Sequence, residues 1–434
     1  MFVGAWPYQP PPTGHFNTFV SGAVTLGIYL QLIQEPLAFY TWYNNTYVPW
    51  LAVNWELKGD ELVVHLRRGV KWHDGSKFTA RDVISTFYIL YLMGAPVWKY
   101  IDKVYAIDDY TVAFHIAKPS SILIRFVLRE PIRPYSVFGE YSDRVLELLE
   151  EGKTRDDEEM QDLLAEFRNF RPEHHIGTGP FMWTGEITES EVWLRKNPEH
   201  WNARRVRFEW VKLYNGETPV VTPIVLAKEV DYATHGFPPA TEKQFLEIGI
   251  KVYRPPTHFG PCLYFNHKMY PFNMTEFRQA LNYAINKSEN AFVSLMYSAK
   301  PIEVPTGLPL ELVDMWVKPE VKAELKSYKY DPKKAEEMLK SLGFEKGADG
   351  IWVAPNGKRM EFELIFPAEF ADWAAAAENA AEQLTKFGIK VTLRGITFTQ
   401  IYEVVMSGKW ELAIQGWGAG NPHCFFSFYN DFKL

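Results

Sequence analysis

The sequence is poor in cysteine, in long apolar runs and in cationic charge, and each shortage excludes something. Only Cys262 and Cys424 occur in 434 residues, too few for a disulfide-stapled scaffold, and both are expected as free thiols. No window approaches the roughly twenty uninterrupted apolar residues that a membrane span needs. The opening residues Met1-Phe2-Val3-Gly4-Ala5 are too short and uncharged for a secretory leader, so any export signal is expected to have been removed. Lys and Arg number 46 against 53 Asp and Glu, a formal net charge of −7 that disfavours nucleic acid as a partner. There is no P-loop, nucleophile elbow or metal-spaced cluster, so neither cofactor nor metal is expected.

What is abundant is aromatic. Trp, Tyr and Phe number 15, 23 and 30, or 16% of the chain. Most must fill cores, because rings bury large areas there. The remainder suits stacking against the C–H faces of sugars. The length allows about three domain-sized units, or one large two-lobed molecule.

The chain is organised around the stretch LRRGVKWHDGSKFTARDV, residues 66–83. Leu62, Val64 and Leu66 alternate with Glu61, Val63 and His65, the period of a strand with one face covered. His73-Asp74-Gly75 then supplies turn chemistry. Thr79 with Asp82 three residues on reads as a capping box, and Phe78 with Val83 as a hydrophobic staple. A catalytic or metal role for His73 and Asp74 is the alternative, but a lone His-Asp pair in a tight turn is more often structural.

Elsewhere the patterning predicts a short helix over 24–34 stopped before Pro36, a hairpin at 104–107 and 111–116, and a charged helix over 145–170. Helices follow at 275–286, with an apolar stripe of Phe277, Ala280, Leu281, Ala284 and Ile285, and at 331–343, opened by Asp331-Pro332. A β-α-β-α-β run then covers 362–366, 371–387, 389–393, 399–407 and 411–417, which argues for a parallel α/β unit with ligands at the carboxyl ends of its strands. The loops after those strands, FPAEFADW and GWGAGNPHCFF, are rich in aromatics. Ile176-Gly177-Thr178-Gly179-Pro180 lacks the spacing and lysine of a phosphate loop, and Pro180 removes an amide donor.

Residues 66–83 resemble the signature of the family 5 extracellular solute-binding proteins, the peptide- and oligosaccharide-binding components of ABC importers, which runs approximately L-R-x-G-V-K-W-H-D-G-x-x-F-T-A-x-D-V. IQEPL, PWLAVNW, the GTGPF turn, CLYFN and FRQALNYAIN are similar to further family segments, so the likeness extends from Ile33 to Cys424. It implies an α/β, two-lobed periplasmic-binding-protein fold of type II, cluster C-like, with an extra subdomain in the first lobe. The implied division gives lobe I two separate segments, 1–47 and 171–260, with the subdomain at 48–170 between them; lobe II follows at 261–415, and 416–434 returns to lobe I. Family members usually continue for many tens of residues further, so the chain is expected to be truncated or a shortened variant. The resemblance also implies hinges near 256–266 and 415–420, a monomer, membrane permease subunits as partners, and a place at the extracellular face of the membrane or in the periplasm, anchored in the full-length precursor.

In peptide-binding members the resemblance puts an Asp, which pairs with the peptide's ammonium, within a segment that here reads Gly416-Trp417-Gly418-Ala419-Gly420-Asn421-Pro422-His423. No acid falls there. A buried ammonium without a carboxylate is costly, whereas Asn421 and His423 suit neutral hydroxyls. The expected ligand is therefore a neutral oligosaccharide, cellobiose or a longer β-gluco-oligosaccharide. The alternative is a peptide met by another acid such as Glu35, Glu369 or Asp372, and a distant one is a glycoside hydrolase, for which no carboxylate pair is fixed by any motif. Ring-stacking candidates are Trp6, Trp42, Trp373 and Trp417, with Phe237 and Phe370 behind them; polar candidates are Asn44, His235, Asn266, Asn421 and His423.

Overall fold

A computed structural model of the chain describes residues 1–6, 14–24, 26–188, 190–255, 258–418 and 423–433. These form two compact units, Met1–Glu217 with Ala227–Thr234, and Thr218–Leu226 with His235–Leu434.

In the first unit the strands are β1 (Phe2–Trp6), β2 (Ala38–Thr41), β3 (Thr46–Pro49), β4 (Ala52–Lys58), β5 (Glu61–Leu66), β6 (Ile101–Asp108), β7 (Thr111–Ile116), β8 (Phe181–Ile187), β9 (Glu191–Lys196), β10 (Trp210–Asn215) and β11 (Tyr232–Ala233). Its helices are α1 (Ala80–Leu92), α2 (Leu123–Arg129), α3 (Tyr135–Glu150) and α4 (Glu158–Asn169). One antiparallel sheet has the order β4-β5-β7-β6, and a mixed sheet has the order β11-β1-β10-β9-β8 with β1 parallel to both of its neighbours.

The stretch at 66–83 folds as its residues dictate. Thr79 caps α1, and the Asp82 carboxylate accepts its amide at 2.8 Å. The staple residues Phe78 and Val83 are both fully buried, in one core with Leu62, Val64 and Leu66 from β5 and with Phe87 and Phe114, whose rings meet edge-on at 4.8 Å. Asp74 holds its own turn through the Ser76 amide at 2.9 Å and reaches the Ser136 hydroxyl at 2.8 Å. Gly177 and Gly179 are required by close approach, because a Cβ would lie 1.9 Å from the Ile33 carbonyl oxygen at the first and 2.3 Å from that of Leu32 at the second. This is a packing turn that leads into β8.

Two local expectations differ. The helix expected over 145–170 is split into α3 and α4, because Gly152 takes φ 81° and turns the chain. The helix expected over 24–34 shrinks to a 3-10 turn, Gly27–Leu32.

The second unit contains α5 (Thr218–Leu226), α6 (Pro239–Glu247), β12 (Phe259–Phe265), α7 (Thr275–Ala284), α8 (Lys287–Leu295), α9 (Leu310–Trp316), α10 (Pro319–Glu324) and α11 (Pro332–Ser341). A small hairpin, β13 (Glu345–Lys346) and β14 (Trp352–Val353), precedes β15 (Glu361–Pro367), α12 (Ala371–Phe387), β16 (Lys390–Ile396), α13 (Phe398–Met406), β17 (Leu412–Gly418) and α14 (Cys424–Lys433). The main sheet has the order β12-β17-β15-β16, with β15 parallel to β16 and β17 and β12 antiparallel to β17. The alternation read from residue 362 onward is thus a parallel α/β arrangement with one antiparallel edge strand.

Strand β15 is apolar on both faces, as a helix-covered strand must be. Leu364 joins the core with Ala377, Ala381 and Leu384 of α12, while Ile365 packs with Ile401 of α13. Gly388 ends α12 at φ 104°, in the left-handed cap position. Neither Cys262 nor Cys424 is in a disulfide.

The chain passes between the units at 217–218, 226–227 and 234–235, so the expected boundary at 260 lies inside the second unit. So do residues 258–266 and 415–418, where hinges were expected. They are held in one ladder that pairs Phe259 with Gly418 and runs to Phe265 with Leu412. Residues 423–433, expected to return to the first lobe, group with the second unit, where α14 packs on β17.

Candidate functional site

The carboxyl ends of β15, β16 and β17 and the amino end of β12 share one edge of the second unit's sheet. In such sheets ligands bind outside the carboxyl ends of the strands. Two stretches distant in sequence, FPAEFADW and His235-Gly236-Phe237, meet there. A Cβ on Gly236 would lie 3.0 Å from Oδ2 of Asp372 in the first turn of α12, so glycine is what lets this backbone approach the carboxylate.

Aromatic rings line the same edge. Phe259 lies 6.0 Å from Trp373, Trp373 meets Phe370 edge-on at 5.5 Å, and Phe370 lies 4.9 Å from Phe398. Phe259 and Phe398 remain 47% and 42% exposed, so both offer ring surface to a ligand. The Phe259 ring covers Gly416, where a Cβ would come within 2.0 Å of it. Trp417 is half-buried against Tyr264 at 6.2 Å, and the Tyr264 hydroxyl donates to the Gly416 carbonyl at 2.8 Å. Trp373 is only 8% exposed and belongs mainly to the core. Phe237 packs on His235 at 5.5 Å and on Phe245 at 4.8 Å.

The three acids singled out in the sequence have different fates. Glu35, in the first unit, is 1% exposed and fully engaged: Trp50 Nε1 donates to it at 2.5 Å, Thr178 Oγ1 donates at 2.9 Å, and His200 Nε2 lies at 3.1 Å. It is a structural junction and not a ligand group. Glu369 accepts the Phe398 amide at 3.0 and 3.1 Å, at the start of α13. Asp372 has no basic partner among the described residues; burial pushes its carboxyl up to about 6, against the pull of the Asp372 and Trp373 amides. Its backbone carbonyl is fixed by the Ser294 hydroxyl at 2.8 Å.

The remaining sequence candidates fall elsewhere. Trp6 lies on β1 in the first unit, where its ring occupies the space over Gly27 and meets Tyr29 edge-on at 6.4 Å. Trp42 and Asn44 sit in the β2–β3 turn, and the Asn44 side-chain oxygen accepts from Thr41 and Thr46 hydroxyls at 2.6 and 2.7 Å. Asn266 lies away from that edge and bonds to backbone. It is 4% exposed at the opposite end of β12, donates to the Gly408 and Trp410 carbonyls at 3.0 and 2.7 Å, and accepts the Lys268 amide at 3.1 Å. His423 is buried against Trp316 at 4.9 Å, with Nδ1 accepting the Phe425 amide at 3.1 Å. Asn421 lies outside the described residues. Phe259 and Phe398 were not picked out from the sequence; their signal is exposure, which pattern alone does not carry.

The sequence matches the family described as bacterial extracellular solute-binding proteins, family 5 Middle, over residues 46–433. It is 24% identical over 414 residues to the dipeptide-binding protein of Escherichia coli K12, covering 88% of this chain and 69% of that protein. It is 26% identical over 429 residues to heme-binding protein A of Haemophilus influenzae, covering 87% and 68%. Among solved structures, the Thermotoga maritima periplasmic oligopeptide-binding protein with bound mannohexaose superposes with a TM-score of 0.77 at 24% identity, over 100% of this chain and 79% of that one. NikZ of Campylobacter jejuni, in complex with Ni(L-His), gives 0.77 at 21% identity over 100% and 80%. The fold is that of the mixed α/β, type II periplasmic binding proteins.

Proposed function

The chain belongs to the family 5 bacterial extracellular solute-binding proteins, and we propose that, as the substrate-binding component of an ABC importer, it captures a short peptide with the carboxyl edge of its second unit's sheet. The observation that carries this reading is the row of rings at that edge, Phe259, Phe370 and Phe398 beside Trp373 and Trp417. Apolar rings rimmed by polar groups are the usual lining of a small-molecule site. Relatives matched over most of the chain include dipeptide-binding proteins of Escherichia coli and Pseudomonas aeruginosa, which supports a peptide as the ligand. These relatives are solute-binding proteins and not enzymes. The reading includes delivery to membrane permease subunits, as such proteins work with. Family members are extracellular or periplasmic, and among the described residues no helix is long and apolar enough to cross a membrane.

A second reading, a neutral oligosaccharide such as cellobiose, is favoured by one observation: residues 416–423 contain no acid. The mannohexaose held by the Thermotoga maritima structure lends it further support. Calorimetric titration of the whole chain with a mixed dipeptide pool, cellobiose, cellotetraose and a xylo-oligosaccharide decides between them. Heat from the dipeptides and none from the sugars is expected; the reverse result overturns the peptide reading.

A further inference from the structure

We propose that the first unit carries a subsite for a primary carboxamide, formed by the Asn215 side chain with the Thr234 and Tyr29 hydroxyls at the carboxyl ends of β1, β10 and β11. The proposal rests on the peptide reading above and adds the ligand side chain that is recognised, asparagine or glutamine.

At this edge the three strands run parallel. On one side β1 pairs Gly4 with Leu213 and Trp6 with Asn215. On the other it pairs Gly4 with Tyr232 and Ala5 with Ala233, so Trp6 and Thr234 are the next residues of the two chains. Asn215, Trp6 and Thr234 therefore occupy adjacent positions where the sheet ends. Strand alternation puts Asn215 on the face of Val211 and Leu213, which share a core with Tyr29 and Trp6. Gly4 lets Tyr29 lie against that face, because a Cβ there would come within 2.6 Å of the Tyr29 hydroxyl.

The backbone at this edge is tied across. The Asn215 amide donates to the Ser190 carbonyl at 2.7 Å, and the Gly216 amide to the Trp6 carbonyl at 3.2 Å. The side chains are not tied. Asn215 is 2% exposed, yet among the described residues neither its Oδ1 nor its Nδ2 has a hydrogen-bond partner. The buried hydroxyls of Thr234 and Tyr29 have none either. Four unpartnered polar atoms in one face of one sheet are unusual, since buried polar groups are nearly always hydrogen-bonded and are costly when they are not.

The chemistry of these atoms names the guest. A carboxamide carries an acceptor and a donor side by side, and a second carboxamide answers both at once. A carboxylate answers only the donor, and an alkyl group answers neither. The two hydroxyls can each give or take one further hydrogen bond. Sites built to hydrogen-bond a guest strongly reject analogues lacking the matching group, because the buried partner is then left unpaired. With Asn215 closed to solvent, entry of the guest requires this edge to open.

The test is calorimetry on the full chain with three sets of dipeptides, glycine joined in both orders to asparagine or glutamine, to aspartate or glutamate, and to leucine. The wild type is expected to bind the best amide dipeptide about tenfold or more tightly than the best of either other set. Asn215→Leu keeps the volume and removes both polar atoms. It is expected to bind the three sets alike, with its ligand-free melting temperature unchanged or higher. Thr234→Val removes one hydroxyl, is expected to narrow the preference, and carries the test should Asn215→Leu not fold. Equal binding of the three sets by the wild type, or a preference that persists undiminished in the variants, would overturn the subsite while leaving the peptide reading intact. A wild type silent with all three sets would sink the peptide reading and this inference together.

Discussion

His73 Nε2 lies 3.0 Å from the carbonyl oxygen of Gly179, and the same ring accepts the Gly177 amide at Nδ1, 3.3 Å away. The two contacts fix the tautomer with the proton on Nε2. They join two stretches more than a hundred residues apart, the HDG turn, for which a catalytic or metal role was the alternative, and the GTGP loop, which has the look of a phosphate loop. Burial holds the His73 imidazole below its ordinary range, so it stays neutral and structural. His73→Ala leaves the Gly177 amide without its acceptor, while the Gly179 carbonyl keeps the Asn197 side-chain amide at 3.2 Å, and a loss of about 1–2 kcal/mol is expected. Urea unfolding should show it, with ligand affinity unchanged.

His175 gives the first unit an acid-side weakness. It is 4% exposed, its ring stacks on Phe16 at 5.6 Å, and burial pushes its pKa down to about 3. Unfolded, the same ring titrates near 6.5, so below that pH the unfolded chain binds the extra proton. Stability associated with His175 is therefore present above pH 6.5 and drains away as pH falls towards 3. His175→Phe should lose less melting temperature between pH 6.5 and 4 than the wild type does. Parallel loss in both proteins would refute this.

Trp417 and Trp373 should behave differently despite their shared edge. Trp417 is half-buried, and Trp417→Ala is expected to abolish ligand binding while the free protein melts nearly unchanged. Trp373, at 8% exposure, is core, and Trp373→Ala should cost about 3–5 kcal/mol of stability. Thermal melts of both variants without ligand separate the two roles.

Asn266→Ala tests whether that residue is structural. Its amide ties the Gly408 and Trp410 carbonyls at the end of the sheet away from the proposed site. A loss of about 1–3 kcal/mol in denaturant unfolding is expected, with ligand affinity unaltered. A variant that is stable but no longer binds would restore Asn266 to the site.

What could be read in the sequence is what local chemistry decides. Thr79, Asp82, Phe78 and Val83 lie within six residues, and their cap and staple follow from spacing alone. The strand and helix order from residue 361 onward was legible for the same reason, since Gly388 and the apolar runs punctuate it. The site was less legible. Trp373 looks like a surface aromatic beside a loop, yet α12 turns it into the core. Glu35 looks like a spare acid, yet Thr178 and His200 converge on it from 143 and 165 residues away. Nothing near either residue announces such partners. The division between units was hidden for that reason too: helices α5 and α6 pack on each other and α6 on α8, contacts that no local pattern encodes.

Strand β1 lies between β10 and β11, pairing Phe2 with Val211 and Gly4 with Tyr232. That makes a strand translated well before its partners one of the last to find its neighbours. At about 5–20 residues per second, the ribosome needs on the order of ten to forty seconds to deliver the partners. Through that interval FVGAW has both edges unpaired, and the hairpin-rich sheet of β4 to β7 has already had time to form. The first unit should therefore mature from its middle outward, and its mixed sheet closes only when residues 232–233 arrive.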